Sequence, residues 1–367
     1  MTIEINNPDA NLLDGESLLI ELVRIHSPSG QERRAVMHLV DWLSRHGFAA
    51  HRDAAGNAVG VLEGPASGGP VREILLLGHI DTVPGFPSVV VRGGKLYGRG
   101  AVDAKGPLAA FATAATLVGP QPGWRIVVAG AVEEEIVTSR GAHHLTVRRR
   151  PDLVVIGEPT GWQRVALGYK GRLLADVTLQ RRMSHTAGPA ASAAEIGFAY
   201  WERVISRLAE LNAGHDRAWD QVQGQLRGFS SSDDGLIDTA ELQLGFRLPP
   251  HVAPEQIQAL LLAADELAII RFSGHEIAHR SEKNTPLVRA FLAAIRAHGG
   301  EPNFVLKTGT SDMNIVGPVW GCPILAYGPG DSSLDHTPEE HVVLAEWARG
   351  VNVLTQVLRD LTGSPPS

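Results

Sequence analysis

Two histidines and five carboxylates, spread along most of the chain, are the residues whose chemistry can be read first. They are His79 and Asp81 in GHIDT, Asp103 in GRGAVDAKG, Glu134 and Glu135 in AVEEEIV, Glu158 in IGEPT and His336 in LDHTPEEH. Apolar runs end at several of them, as in EILLLGHID, RIVVAGAVEEE and DLVVIGEP. A buried strand that stops at a charged residue delivers it to the C-terminal edge of a parallel sheet, where open α/β folds place their sites. Five carboxylates gathered at one edge repel each other and resist ionisation unless a cation neutralises them. Histidine with carboxylate and no thiolate suits zinc or a comparable divalent ion. Singly, each residue has a plainer reading as a cap, a turn or surface charge. In this order and at strand ends, they read as the centre of a metal hydrolase.

The elements that would carry them are legible in outline. Helical apolar spacing covers 18–23 and 35–43, with Ser27-Pro28-Ser29-Gly30 as a turn between. Short β-rich runs follow at 74–77, 126–129 and 153–156, with a small-residue helix candidate at 107–117. Strands alternating with helices imply an α/β domain with a largely parallel sheet flanked by helices. After GYKGR the pattern changes: strands at 173–179 and 241–248, helices at 190–211 and 256–269, and a strand near 275–279. Residues 228–235 read as a polar loop. The expectation is an inserted α+β domain at 170–282, inside a catalytic domain built from 1–169 and 283–367 and resuming with a helix at 287–298. The GSPPS tail reads as disordered.

Composition bounds the function classes. With 44% apolar and 20% charged residues over 367 positions, this is an ordinary globular chain long enough for two domains. A net charge of −7 argues against nucleic acid or an anionic membrane as partner. Cys322 is the only cysteine, which excludes an internal disulfide, suits a reducing cytoplasm and reads as a small buried residue. The acidic N-terminus has no signal-peptide core, and no apolar run reaches the ~20 residues of a membrane span.

These motifs resemble those of the co-catalytic dizinc amidohydrolases: aminoacylase, glutamate carboxypeptidase, acetylornithine deacetylase and succinyl-diaminopimelate desuccinylase. The likeness runs from the HID turn to the terminal HTPEE. GAVEEE, IGEPTGW, GYKGR, KTGTSDMN and YGPGDSSLDHTPEEH further resemble the subgroup that releases lysine or ornithine from an acidic amino-group carrier protein in amino-acid (lysine, arginine) biosynthesis. The family pattern implies two Zn2+, with Co2+ as a conceivable substitute, bridged by Asp103. His79 and Glu158 would complete one ion's ligands, and Glu135 and His336 the other's. Asp81 would fix the His79 tautomer, and Glu134 would be the general base. The triple Glu133-Glu134-Glu135 leaves the register open, and the spacing to Gly141-Ala142 favours the later pair. By the same resemblance the peptide after Asp103 is cis, and the insert is a lid and dimerisation domain. His185, in RRMSHTAGP, matches a histidine supplied across a homodimer to stabilise the oxyanion, although Arg182-Met183 departs from the usual small residues. Arg247, in GFRLPP, matches an arginine that binds a substrate carboxylate, and Ser311-Asp312 fall in a substrate-contacting loop. Asp331 and Asp335 are candidates to receive a substrate ammonium.

One motif competes. His275-Glu276-Ile277-Ala278-His279 is a literal HExxH, the zincin signature, which works only on a helix. Here the flanks alternate as a strand does, and strand positions four apart stand about 13 Å apart, too far to share one ion. A silent binding protein would be expected to lose the base, whereas this chain keeps every position. Among enzymes, the remaining alternative is a deacylase of a small acyl-amino acid such as acetylornithine, acetyllysine or succinyl-diaminopimelate.

Overall fold

The computed structural model describes residues 8–185 and 187–363, in two compact units. One comprises the chain up to Gly168, Ser281–Val305 and the residues from Ser311 onward; the other comprises Tyr169–Arg280 and Leu306–Thr310. The tail expected to be disordered lies outside the described residues, apart from Gly363, which closes the last helix.

The first unit is built on a mixed sheet. Its centre is parallel: Trp124–Ala131, Arg72–His79, Leu153–Gly157 and Ile324–Ala326 lie side by side in that order. Ala58–Glu63 pairs antiparallel with Trp124–Ala131, and Ala49–Arg52 flanks it at the edge. The central strands are buried throughout because both faces are covered, so they read as continuous apolar runs. Helix Lys105–Val118, almost wholly buried, packs on the sheet, and helices Pro8–Arg24 and Leu344–Gly363 pack on it. Three glycines permit that approach. Gly78 pairs with Gly130 on one side and with Gly157 on the other, where the helix crosses the strand ends. A Cβ on Gly157 would lie 2.9 Å from Phe111 Cε2 and 3.0 Å from Gly78 Cα. Gly157→Ala is therefore expected to cost about 1–3 kcal/mol by overpacking, read as a lower denaturation midpoint with an unchanged m-value.

The second unit is an antiparallel sheet in the order Gln223–Asp233, Ile237–Leu248, Gly171–Arg182, Ile269–Glu276. Helices Ala193–Leu211 and Pro254–Leu262 supply Tyr200, Val204, Leu208, Ile257 and Leu261 to a core with Leu173, Val177, Leu242, Leu244 and Phe246. Ser192 and Glu195 form a capping box that starts the longer helix.

Two local readings change. Gly228–Asp233 extends a strand instead of forming a loop, because an edge strand exposed on both sides accepts serine and aspartate. The helix expected at 256–269 stops at Leu262, and Ile269–Glu276 is the strand. His275 and Glu276 thus lie in a strand, as expected, where HExxH has no helical face to present. Among the described residues no helix is long and apolar enough to cross a membrane.

Candidate active site

Three of the four central strands hand acidic or imidazole groups to the same edge. His79 is the last residue of Arg72–His79, Glu133 to Glu135 lie in the turn beyond Trp124–Ala131, and Glu158 follows Leu153–Gly157. Asp103 lies just before helix Lys105–Val118, and His336 follows the short turn Ser332–Leu334. The Asp103–Ala104 peptide is cis.

Asp103 presents its two oxygens to two histidines. Its Oδ1 lies 3.1 Å from His79 Nε2 and its Oδ2 2.9 Å from His336 Nε2. His336 Nε2 is also 3.2 Å from Glu135 Oε1. His79, Asp103 and Glu135 form the one group of three donors within 4.8 Å of one another that could hold a metal ion among the described residues. Donors at about 2.0–2.2 Å from one tetrahedral zinc stand roughly 3.3–3.5 Å apart, so the 3.1 Å between His79 Nε2 and Asp103 Oδ1 needs only slight expansion to admit an ion. The donor set fits a divalent cation.

The electrostatics point the same way. Glu134, Glu135 and Glu158 are all held above the usual carboxylate range, first by burial and then by neighbouring carboxylates, Asp312 foremost for Glu134 and Asp103 for the other two, against the opposing pull of His79 and, at Glu135, of His336. Hydrogen bonds to Asp103 and Glu135 push His336 up to about 10. Burial alone would strip His79 of its proton, but Asp103 and Asp81 outweigh it. Burial likewise opposes the charge of Asp103, and the two histidines overcome it to hold the carboxyl below its ordinary range. Burial and crowding favour neutral carboxyls at the three glutamates, a cost that a bound cation would relieve.

Asp81 does more than face His79. His79 Nδ1 is 3.1 Å from the Asp81 carbonyl and 3.5 Å from Oδ1. The carboxylate also accepts from the backbone N–H of Glu134 and Glu135, both at 3.1 Å, and from Ser29 Oγ at 2.7 Å. Glu133 turns the other way, with φ 61°, pairing with Arg140 at 2.8 Å and accepting from Thr138. The turn thus directs Glu134 and Glu135 together.

Two buried residues escaped the sequence reading. Glu340 accepts from Arg99 Nη1 at 2.7 Å and from the N–H groups of Val102 and Asp103 at 3.0 and 3.2 Å. Arg99 also donates to the carbonyls of His336 and Thr337. The pair stitches the Asp103 loop to the His336 loop. Its position four residues after His336, inside HTPEEH, was the available signal.

The remaining candidates are placed variously. Ser311 caps helix Asp312–Trp320 by accepting from Met313 N–H, and Asp312 is buried, its carboxyl pushed up to about 7 by desolvation. Arg247 is half-buried in the second unit and donates to Thr310 Oγ1 at 3.0 Å. His185 is exposed beyond strand Gly171–Arg182, its Nδ1 accepting from Ala187 N–H. Asp331 accepts from Ser333 N–H and so caps its own turn, while Asp335 lies close enough to Glu158 to raise it.

Comparison with known proteins places the chain in a family. Residues 75–360 match the model of peptidase family M20/M25/M40. The chain is 46% identical to the LysW-lysine hydrolase of Deinococcus radiodurans over 97% of its own length and 99% of that protein's. In fold it is similar to the M20 family metallo-carboxypeptidase Sso-CP2 from Sulfolobus solfataricus, at TM-score 0.77 and 19% identity over 94% and 98% of the two chains. It is also similar to the Bacillus subtilis YXEP protein, a dinuclear metal binding peptidase of the M20 family, at TM-score 0.69 and 11% identity over 97% and 100%. The chain belongs to peptidase family M20/M25/M40 and is a metal-dependent hydrolase.

Proposed function

We propose that this enzyme hydrolyses the amide bond that joins lysine, or ornithine, to the glutamyl end of the amino-group carrier protein LysW. The observation that carries the substrate reading is the 46% identity to a LysW-lysine hydrolase over nearly the full length of both chains. Two Zn2+ are the proposed cofactor, with Co2+ as a substitute. Asp103 would bridge them, His79 and Glu158 would hold one, and Glu135 and His336 the other; the two histidines facing separate Asp103 oxygens support this division. When bound, such an ion pair supplies Lewis acidity, polarising the scissile carbonyl and making water nucleophilic near neutral pH.

Glu134 takes the proton from the attacking water and returns it to the departing lysine amine. Asp81 fixes the His79 ring through Nδ1 and holds the Glu134 and Glu135 backbone in register. Residues 170–282 act as a lid and dimerisation domain. The exposed position of His185 supports its donation to the site of a second copy, where it would stabilise the developing oxyanion. Arg247 receives the substrate carboxylate, and the Ser311-Asp312 segment borders the substrate. Asp335 is the proposed partner of the substrate ammonium. A cytoplasmic setting suits the lone Cys322, whose thiol burial pushes up to about 11, far from a reactive thiolate.

The test compares carrier-linked lysine with acetyllysine, acetylornithine and succinyl-diaminopimelate in one zinc-supplemented assay. Higher kcat/KM on the carrier-linked substrate is expected; equal or higher efficiency on acetylornithine would assign the enzyme to the small-molecule deacylases. Because the chain carries −7 overall, an acidic carrier would have to dock on a local basic cluster, Arg148-Arg149-Arg150 being the proposed one, and such docking should weaken as salt rises. KM for carrier-linked lysine is therefore expected to climb between low and physiological ionic strength, while KM for acetyllysine hardly changes.

A further inference from the structure

The turn that carries Glu134 and Glu135 is closed at its neck by a side chain from the turn that precedes another strand. Strand Ala58–Glu63 pairs with Trp124–Ala131 up to Ala58 opposite Gly130, and the ladder then stops. Asn57, the next residue, is fully buried. Its Oδ1 accepts from Val132 N–H at 3.1 Å, and its Nδ2 donates to the Gly141 carbonyl at 3.1 Å and to Asp53 Oδ2 at 2.9 Å. Gly141 N–H in turn donates to the Val132 carbonyl at 3.1 Å. All four backbone groups at the neck are thereby satisfied, two by each other and two by one amide.

Only an amide of this length does this. The neck needs an acceptor and a donor on one short side chain, and Asp53 takes the second N–H. Asp53 itself is fixed by accepting from the N–H groups of Ala55, Gly56 and Asn57, each at 2.9 Å. Gly141 is equally constrained: a Cβ there would lie 2.4 Å from Asn57 Oδ1 and 2.6 Å from Val132 N.

We infer that Asn57 is a positioning residue for Glu134 and Glu135, its buried amide setting where the two carboxylates stand relative to His79 and Asp103. The inference rests on the proposed roles of Glu134 as base and Glu135 as ligand. Asn57 touches neither carboxylate, so it acts through the loop neck, with Asp81 holding the loop from the opposite side.

The experiment uses the full-length, zinc-loaded enzyme and acetyllysine as probe. Asn57→Asp keeps the size and the acceptor but removes both donors; Gly141→Ala leaves the amide in place and crowds the same neck from the other side, its Cβ pressing on Asn57 Oδ1 and Val132 N. Leu354→Ala, a core truncation in the last helix, controls for general destabilisation. The expected result for both neck variants is a 10–100-fold lower kcat with KM within about threefold, and zinc affinity, by chelator competition, weaker by a similar factor. Leu354→Ala should lower the melting temperature while leaving kcat and zinc affinity within twofold. Unchanged kcat and zinc affinity in folded Asn57→Asp and Gly141→Ala would overturn the inference, as would equal losses in Leu354→Ala. A failure of the underlying reading looks different: Glu134→Gln would then keep wild-type turnover.

Discussion

Glu134→Gln should fold, keep its metal and lose about 10²–10⁴-fold in turnover, the range for removing a general base. The glutamine fills the same space, so the packing around the strand end is retained. Burial and then the charges of Asp312, Glu135 and Asp103 already hold the Glu134 carboxyl well above its ordinary range, so a neutral amide removes repulsion instead of adding strain. What the amide cannot do is accept a proton from water. The measurement is kcat alongside metal analysis of the same preparation. A preparation that lost an ion, or one that kept turnover within tenfold of wild type, would move the base to another residue, with Glu135 or Glu133 next in line.

Glu340→Ala should be the most destabilising single change at the site. Arg99 and Glu340 are 7% and 0% exposed in their side chains, so removing the carboxylate strands a guanidinium in the interior. Breaking a buried pair in this way costs about 3–5 kcal/mol. The N–H groups of Val102 and Asp103 lose their acceptor at the same time, which replacing Arg99 with methionine would not repair. Glu340→Gln keeps an acceptor for those two groups and should cost less than half as much. Urea denaturation reads the result directly; a loss under about 1 kcal/mol in Glu340→Ala would mean that water reaches Arg99.

The strand ends were legible because a buried parallel strand announces itself as an apolar run, and the residue that breaks the run is the one delivered to the edge. His79 and Glu158 follow that rule, and the sheet was readable from it. The second unit was readable in its long strands, yet the hairpin at 228–236 was not, since serines on a doubly exposed edge carry no period. Helix Asp312–Trp320 was hidden by Pro318 and Gly317, which mark breaks in a sequence but here are accommodated in a short helix. The supporting shell was the least legible part. Asn57, Arg99 and Glu340 act through hydrogen bonds to backbone groups far away in sequence, and a one-dimensional pattern holds no trace of such a partner. The orientation of Glu133 is of the same kind, set by Arg140 and a left-handed backbone.

Synthesis runs from the N-terminus, and this gives the last helix a weight out of proportion to its length. His79, Asp103 and Glu135, the three donors that gather most closely, emerge long before Leu344–Gly363. That helix packs against Lys105–Val118, the alanine-rich helix that begins two residues after Asp103, and buries Trp347 with its indole N–H donating to the Gly106 carbonyl. Until those final residues arrive, a nascent chain shows chaperones and proteases a greasy helix beside a nearly complete set of cation donors. Nonsense mutations near the C-terminus should therefore act as nulls through degradation of the shortened product, with every candidate site residue still encoded.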